Sequence, residues 1–287
     1  MTRRQILTTT LALTWALLTH AATPQDKPAR ETRLTFLGSA SANPGPDQDT
    51  ASFIINDNLL IDCGFNAGLN MQRSGYDPAK IETLFFTHCH HDHYIGLPGL
   101  LFLRSMRKLE NQPPLQIVGP TDDLPIIVDL SRRFLQADRF PTVWPAIELH
   151  PLAPGATYET PAFRLETIKS RHQVTGFCVR FTDKATNVVI AFSGDTAPNP
   201  ALAKLAQNAD ILIHEASISS STSDDKMWPG HSRAIDAART AREAGVKQLI
   251  LIHLPTSQRE ASLAAARQIF PNTALAKEGQ TIVLPGK

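Results

Sequence analysis

The run Thr87-His88-Cys89-His90-His91-Asp92-His93 packs four candidate metal ligands, His88, His90, Asp92 and His93, into six positions. Imidazole and carboxylate groups suit zinc or a similar divalent ion. Directly before them lies Ile81-Glu82-Thr83-Leu84-Phe85-Phe86, an apolar stretch that reads as a buried strand. In an extended loop the side chains at i and i+2 face the same way, so His88 and His90 can close on one ion. Asp92 and His93 lie beyond the turn and can reach a second. Cys89 sits between two of these ligands, but its side chain should point away from the face they share. A single histidine is commonly a surface residue; this density at a strand exit points to metal.

Two ions need more ligands than one loop supplies, so other strand ends must contribute. The pattern predicts strands at 34–37, 51–55, 59–62, 81–86 and 115–118, with helices over 67–74, 97–109 and 123–136. The proline-punctuated stretch from Phe140 to Pro161 is expected to hold one short strand at most. Further strands are expected at 163–168, 177–181, 188–192, 211–214, 248–252 and 281–284, with helices over 200–207, 233–244 and 259–270. His172, Asp195 and His253 each follow one of these strands closely. Loops at one end of a sheet sandwich converge in space, and strands hold them rigidly. Strand-rich halves with helices between the strands imply packed sheets flanked by helices in one α+β domain, here assigned to residues 34–287.

Pro229-Gly230-His231-Ser232 leads into the Ala-rich helix pattern that Gly245 ends, with Ser232 a natural N-cap. A histidine just before a helix N-terminus can contact an anionic oxygen or protonate a leaving group. His214, at a strand end, is expected to be buried and hydrogen-bonded.

The chain has 287 residues, 42% of them hydrophobic and 19% charged, which is ordinary globular composition. A net charge of +1 offers no general electrostatic reason for a nucleic-acid partner. Residues 1–22 read as an export signal: Arg3-Arg4, the apolar stretch Ile6–Leu18, then Thr19-His20-Ala21-Ala22 as a cleavage region. Thr2-Arg3-Arg4-Gln5-Ile6-Leu7 resembles a twin-arginine signal, and an ordinary secretory signal is the alternative. Either one implies a periplasmic or secreted protein with no membrane span after processing. Residues 23–33 form a polar leader. Cys63, Cys89 and Cys178 are too few for a disulfide framework, and a Cys63–Cys178 pair stays open.

The ordered set from His88 to His253 resembles the metallo-β-lactamase superfamily of hydrolases over almost all of the mature chain. The resemblance implies an αββα sandwich. It also implies that His88, His90 and His172 hold one metal, Asp92, His93 and His253 a second, and that Asp195 bridges them. Gly96-Leu97-Pro98-Gly99-Leu100-Leu101, His214-Glu215-Ala216 and Gly230-His231-Ser232 are most similar to ribonuclease Z and its relatives, with arylsulfatases nearby. In that group His231 would act on the leaving group and Glu215 would orient it. The aspartate bridge argues against true β-lactamase activity. His91 fills a motif position that is usually small, so it would crowd the site or support it.

Two departures matter. Asp62-Cys63-Gly64-Phe65-Asn66-Ala67 replaces the usual Asp-Cys-Gly-Glu-Gly-Thr run, and no long basic, glycine-rich arm is present. With the export signal, these argue against tRNA as a partner. The expected protein is an exported dinuclear hydrolase carrying two Zn2+, with Mn2+ or Fe2+ as alternatives. Its expected substrate is a small anionic ester, first a phosphodiester, attacked by hydroxide shared between the ions with Asp92 accepting a proton. An arylsulfatase, a lactonase or thioesterase and a noncatalytic zinc-binding protein are the rivals. Oligomeric state is left open, a homodimer among the options.

Overall fold

In the computed structural model residues 30–287 are described, apart from Lys108, so the export signal expected over residues 1–22 lies outside the described residues. Strand β1 (Glu31–Gly38) begins inside the stretch expected to be a polar leader. Thr32 explains the early start: it is buried, and its hydroxyl donates to Asp183 Oδ2 at 2.8 Å, so a polar residue is satisfied within the sandwich.

The first half continues through β2 (Ser52–Ile55), β3 (Leu59–Ile61), α1 (Ala67–Arg73), β4 (Thr83–Phe85), α2 (His91–Tyr94), α3 (Leu97–Met106), β5 (Leu115–Pro120), α4 (Leu124–Phe134) and β6 (Ile147–Leu152). The second runs through β7 (Thr157–Glu159), β8 (Phe163–Lys169), β9 (Phe177–Asp183), β10 (Val189–Phe192), α5 (Pro200–Leu205), β11 (Ile211–Glu215), α6 (Ala234–Ala244), β12 (Gln248–Ile252), α7 (Arg259–Arg267), β13 (Thr273–Leu275) and β14 (Thr281–Pro285). They build two seven-stranded sheets, ordered β14-β1-β2-β3-β4-β5-β6 and β13-β12-β11-β10-β9-β8-β7. In both sheets one side is an antiparallel meander, and the other is parallel with helical crossovers.

Phenylalanines from both sheets fill the space between them. Phe53 and Phe192 meet edge to face with ring centroids 5.4 Å apart, and Phe85 packs on Phe177 at 5.8 Å. Truncating one such ring to alanine costs about 3–5 kcal/mol. A leucine- and isoleucine-rich layer packs α1, α3 and α4 on the first sheet. A finer, alanine-rich layer packs α5, α6 and α7 on the second. The expected αββα sandwich, a single α+β domain, is therefore the observed architecture.

Two expectations fail. The Phe140–Pro161 stretch holds two strands, β6 and β7, each the outermost strand of its sheet. Their half-exposed patterns contain no apolar run, and edge positions tolerate Pro151 because no ladder lies beyond it. Ser232 is not the cap of α6. Arg233 occupies that position, with Asp236 accepting from its backbone N–H at 3.2 Å, while the Ser232 hydroxyl donates to Thr196 O. The three cysteines are free, and Cys63 and Cys178 lie in different helix-facing layers.

Candidate metal centre

All the expected ligands converge at one end of the sandwich, beyond the C-terminal ends of β4, β10 and β12 and the exit of β8. His88, His90 and His172 offer ring nitrogens that lie within 4.8 Å of one another. Asp92, His93 and His253 form a second such group, and His88, His93 and Asp195 a third that joins the two. Asp195 Oδ2 lies 3.8 Å from His88 Nε2, 3.6 Å from His93 Nε2 and 3.5 Å from His253 Nε2. The four-residue helix α2 turns Asp92 and His93 inward and leaves His91 exposed beside Tyr94, so His91 neither crowds nor lines the centre. Cys89 packs toward the helix layer of the first sheet and belongs to none of these groups.

The outer nitrogens reveal what the inner ones are for. His93 Nδ1–H donates to Asp62 Oδ2 at 2.8 Å. Thr87 gives its hydroxyl proton to that same carboxylate at 2.8 Å, so the 3.1 Å contact with His88 must be donated by His88 Nδ1–H. His172 Nδ1–H donates to Gly230 O at 2.8 Å. Ser217 donates to Glu215 Oε2 at 2.9 Å and therefore accepts from His253 Nδ1–H at 2.7 Å. Each tie fixes a tautomer whose free Nε2 faces the cluster, the arrangement metal-bound histidines adopt. His88 Nε2 and His93 Nε2 are buried without a hydrogen-bond partner among the described residues. His172 Nε2 and His90 Nδ1 stand 2.9 Å apart. Buried acceptors left this way are costly unless a cation serves them. The donor set therefore fits divalent ions.

Electrostatics agree with the geometry. Burial, with His93 nearby, lowers His88 well below the ordinary imidazole value. Burial likewise lowers His90 and His172. His93 is pulled down by burial but pushed well above its ordinary value by Asp62 and Asp195. A divalent cation would take the place of the proton those carboxylates favour. Burial opposes ionisation of Asp195, yet His253, His93 and His88 hold it well below the usual carboxylate range.

Backbone geometry is specialised here too. Asp62 and His253 adopt φ of 55° and 56°, left-handed values that cost a non-glycine residue about 1–2 kcal/mol each. Gly194 shares that region at φ 53°, and a Cβ on it would stand 2.6 Å from Phe177 O. Only glycine lets the chain deliver Asp195 so close to β9.

Beside the cluster, Glu215 is buried and five bonds hold it. Its Oε1 accepts from Thr196 N, His231 Nδ1 and Ser232 N at 3.1, 3.0 and 3.2 Å. Its Oε2 accepts from Ser217 N and Oγ, both at 2.9 Å. Burial lowers the His231 pKa, but the bond to Glu215 raises it further, to about 8. His214 is buried, with Nδ1 bonded to Glu215 O at 2.8 Å, as expected. Sequence reasoning overlooked Asp62 and Ser217. Asp62 carried the signal already used for Asp195, a carboxylate at a strand exit on the same end. Ser217 carried none.

The cluster floors a cavity of about 600 Å³ that His90, Asp92, Asp195, His231, His253 and Trp228 help to line. A larger one, about 870 Å³, lies at the opposite end of the sandwich near Asn56–Asn58 and Thr186, and no histidine lines it. The smaller cavity holds the chemistry.

A family model described as anti-Pycsar protein Apyc1 matches residues 32–228. Ribonuclease Z from Methanothermobacter thermautotrophicus is 30% identical over 300 residues, which span 87% of this chain and 95% of the relative. Among solved structures, the metallo-β-lactamase fold protein YhfI from Bacillus subtilis superposes with a TM-score of 0.75 at 22% identity, covering 88% of this chain and 100% of its own. Human tRNase Z, short form, gives 0.72 at 24% identity, covering 88% and 99%. These relatives correct one expectation, that tRNA is an improbable partner: the curated relatives include ribonuclease Z enzymes, and a solved neighbour is a tRNase. The similarity spans 87% of this chain despite the departures at Phe65–Ala67 and the lack of a long basic arm. Near-neutral net charge does not exclude a local nucleic-acid contact. The chain belongs to the family of the Apyc1 model, within the metallo-β-lactamase superfamily of hydrolases and close to ribonuclease Z.

Proposed function

We propose that this protein is a dinuclear zinc phosphodiesterase. His88, His90 and His172 would hold one ion and Asp92, His93 and His253 the other, with Asp195 between them. The observation that carries the reading is the set of tied-off outer nitrogens, which turns each Nε2 inward and leaves those of His88 and His93 with no hydrogen-bond partner among the described residues. Two divalent ions in such a site supply a water ionised near neutral pH and positive charge to offset that on phosphoryl oxygens.

The chain's own groups supply the rest. Asp92 lines the cavity, and its Oδ2 lies 3.1 Å from His253 Nε2. From there Asp92 orients the attacking water and takes its proton. Glu215 holds His231 by Nδ1, which leaves Nε2 to hand a proton to the departing oxygen. The bond to Glu215 raises the His231 pKa, to about 8, which favours the charged form that a general acid requires. Glu215 thus positions His231 through a ring-nitrogen bond, and its other four bonds keep it from following a neighbouring side chain.

Kinship with ribonucleases supports phosphodiester over sulfate ester chemistry and lends the arylsulfatase alternative no weight. Arg3-Arg4 and the apolar stretch after them support export to the periplasm, and cell fractionation with N-terminal sequencing tests that part. The central test is metal analysis of purified protein together with turnover of bis(p-nitrophenyl) phosphate. About two zinc ions per chain and chelator-sensitive turnover are expected. Protein that binds no metal, or loaded protein that leaves the diester intact, overturns the proposal.

A further inference from the structure

Glu278 lies in the segment that carries the chain from β13, at the edge of one sheet, to β14, at the edge of the other. Its neighbours Lys277 and Gly279 are exposed, yet Glu278 is half-buried, and one of its oxygens, Oε1, is an acceptor for three donors. Asp49 N–H donates to it at 2.8 Å, Ser39 N–H at 3.2 Å and the Ser39 hydroxyl at 3.4 Å. That hydroxyl in turn accepts from Arg259 Nη1 at 3.1 Å, so a cation stands behind the carboxylate. Ser39 and Asp49 are the two ends of the loop between β1 and β2, whose pairing already shifts register between Phe36 and Gly38. The ends also bond to each other, Asp49 O accepting from Ser39 and Ala40 N–H at 3.0 and 2.9 Å. An ionised acceptor shared by both ends adds the stronger, charge-assisted kind of bond to that closure.

Each end then holds one ligand of the second proposed ion. Ser39 O accepts from His253 N–H at 2.9 Å, which helps fix the left-handed backbone that His253 adopts. Beside Asp49, Thr50 donates its hydroxyl to Asp92 O at 2.7 Å, and the Asp49 carboxylate accepts from Thr50 N–H at 2.8 Å. Asp92 and His253 come from opposite halves of the sandwich, and this one loop reaches both. Among the described residues none of these bonds involves His88, His90 or His172.

Resting on the two-ion reading above, we infer that Glu278 is a positioning residue for the ion of Asp92, His93 and His253: it clamps the β1–β2 loop so that Asp92 and His253 keep their places. Glu278 does not line the catalytic cavity, and it acts only through Ser39, Asp49 and Thr50. The His88, His90 and His172 group is independent of it.

Titration of zinc-free, full-length protein with zinc, in competition with a chelating dye, resolves the two affinities. His172→Ala identifies the one that belongs to His88, His90 and His172. Glu278→Ala should weaken the other about 10-fold, the low end for loss of a group that supports a metal ligand, and leave the first within about 2-fold. Glu278→Gln keeps an acceptor at the same reach and should recover most of the lost affinity. A role in the fold alone would instead lower the melting temperature of the zinc-free protein and treat the two affinities alike. Both weakened equally, neither weakened, no recovery in Glu278→Gln, or a Glu278→Ala chain that is unfolded by circular dichroism each overturns the inference. Failure of the two-ion reading is separable, since it shows as unsubstituted protein that takes up fewer than two zinc ions.

Discussion

The two halves of the sandwich furnish the candidate centre in opposite ways. The first half concentrates His88, His90, Asp92 and His93 after a single strand, β4, and folds the last two inward with one turn of helix. The second half supplies His172, Asp195 and His253 one at a time, after β8, β10 and β12. Local chain geometry is enough to gather the first set. Only correct packing of the two sheets gathers the second, so that half of the centre is a direct readout of the fold. Asp195 lies where the sets meet, within 4 Å of His88 and His93 from one half and His253 from the other.

Substitutions at the meeting point should break this comparison most severely. Asp195→Ala is expected to lower diester turnover about 10²–10⁴-fold, the rate equivalent of several kcal/mol of lost charge stabilisation. Zinc content measured on the same sample should fall as well. If His88→Ala were crippling while Asp195→Ala was mild, the dispersed half would be peripheral and the picture wrong. His231→Ala should cost about 10²-fold or more on esters with poor leaving groups and less on p-nitrophenyl esters. A loss independent of the leaving group would remove His231 from proton transfer.

Weaker effects sharpen the contrast. Asp62→Ala frees Nδ1 of His93 and should weaken zinc binding about 10–100-fold, read by competition with a chelating dye. Gly230→Ala probes the dispersed half in the same way, because the added methyl must displace His172. Its effect should be confined to zinc affinity and turnover, with the melting temperature changed by only a few degrees.

The far end of the second half serves as a control. Burial pushes the Asp210 carboxyl up, but the Lys247 and Lys287 ammoniums, 2.8 and 2.7 Å away, hold it below its ordinary value of 3.8. A lowered folded-state pKa means that this stabilisation is complete above pH 3.8 and fades as pH falls through the lowered value. Both lysines are substantially exposed, so Asp210→Asn should cost only about 1 kcal/mol or less near neutral pH. Denaturant titration should show that difference shrinking in acid, while zinc binding stays unchanged. A change in zinc affinity would mean that the two ends are coupled.

Much of this architecture was legible because buried strands and amphipathic helices write themselves into apolar periodicity. Strand β12 matches its expected span residue for residue, and α1, α4 and α6 agree to within two residues. Three of the four edge strands escaped, whereas β14 was expected at 281–284: β6 and β7 are half exposed, and β13 is three residues long with a proline two residues before it. The Arg233 cap escaped as well, since its geometry depends on Asp236 and on Ser232 being drawn to Thr196 O.

The sequence by itself determined the donor chemistry of the centre, the tight spacing of its first four members and the strand exits from which the others come. Tertiary structure alone decided which nitrogen of each ring points inward. That choice depends on partners far away in the chain: Asp62 for His93, Gly230 for His172 and Ser217 for His253. Hydrogen-bond direction follows from where atoms lie in space. No pattern along one strand can specify a carboxylate or carbonyl that arrives from another part of the chain.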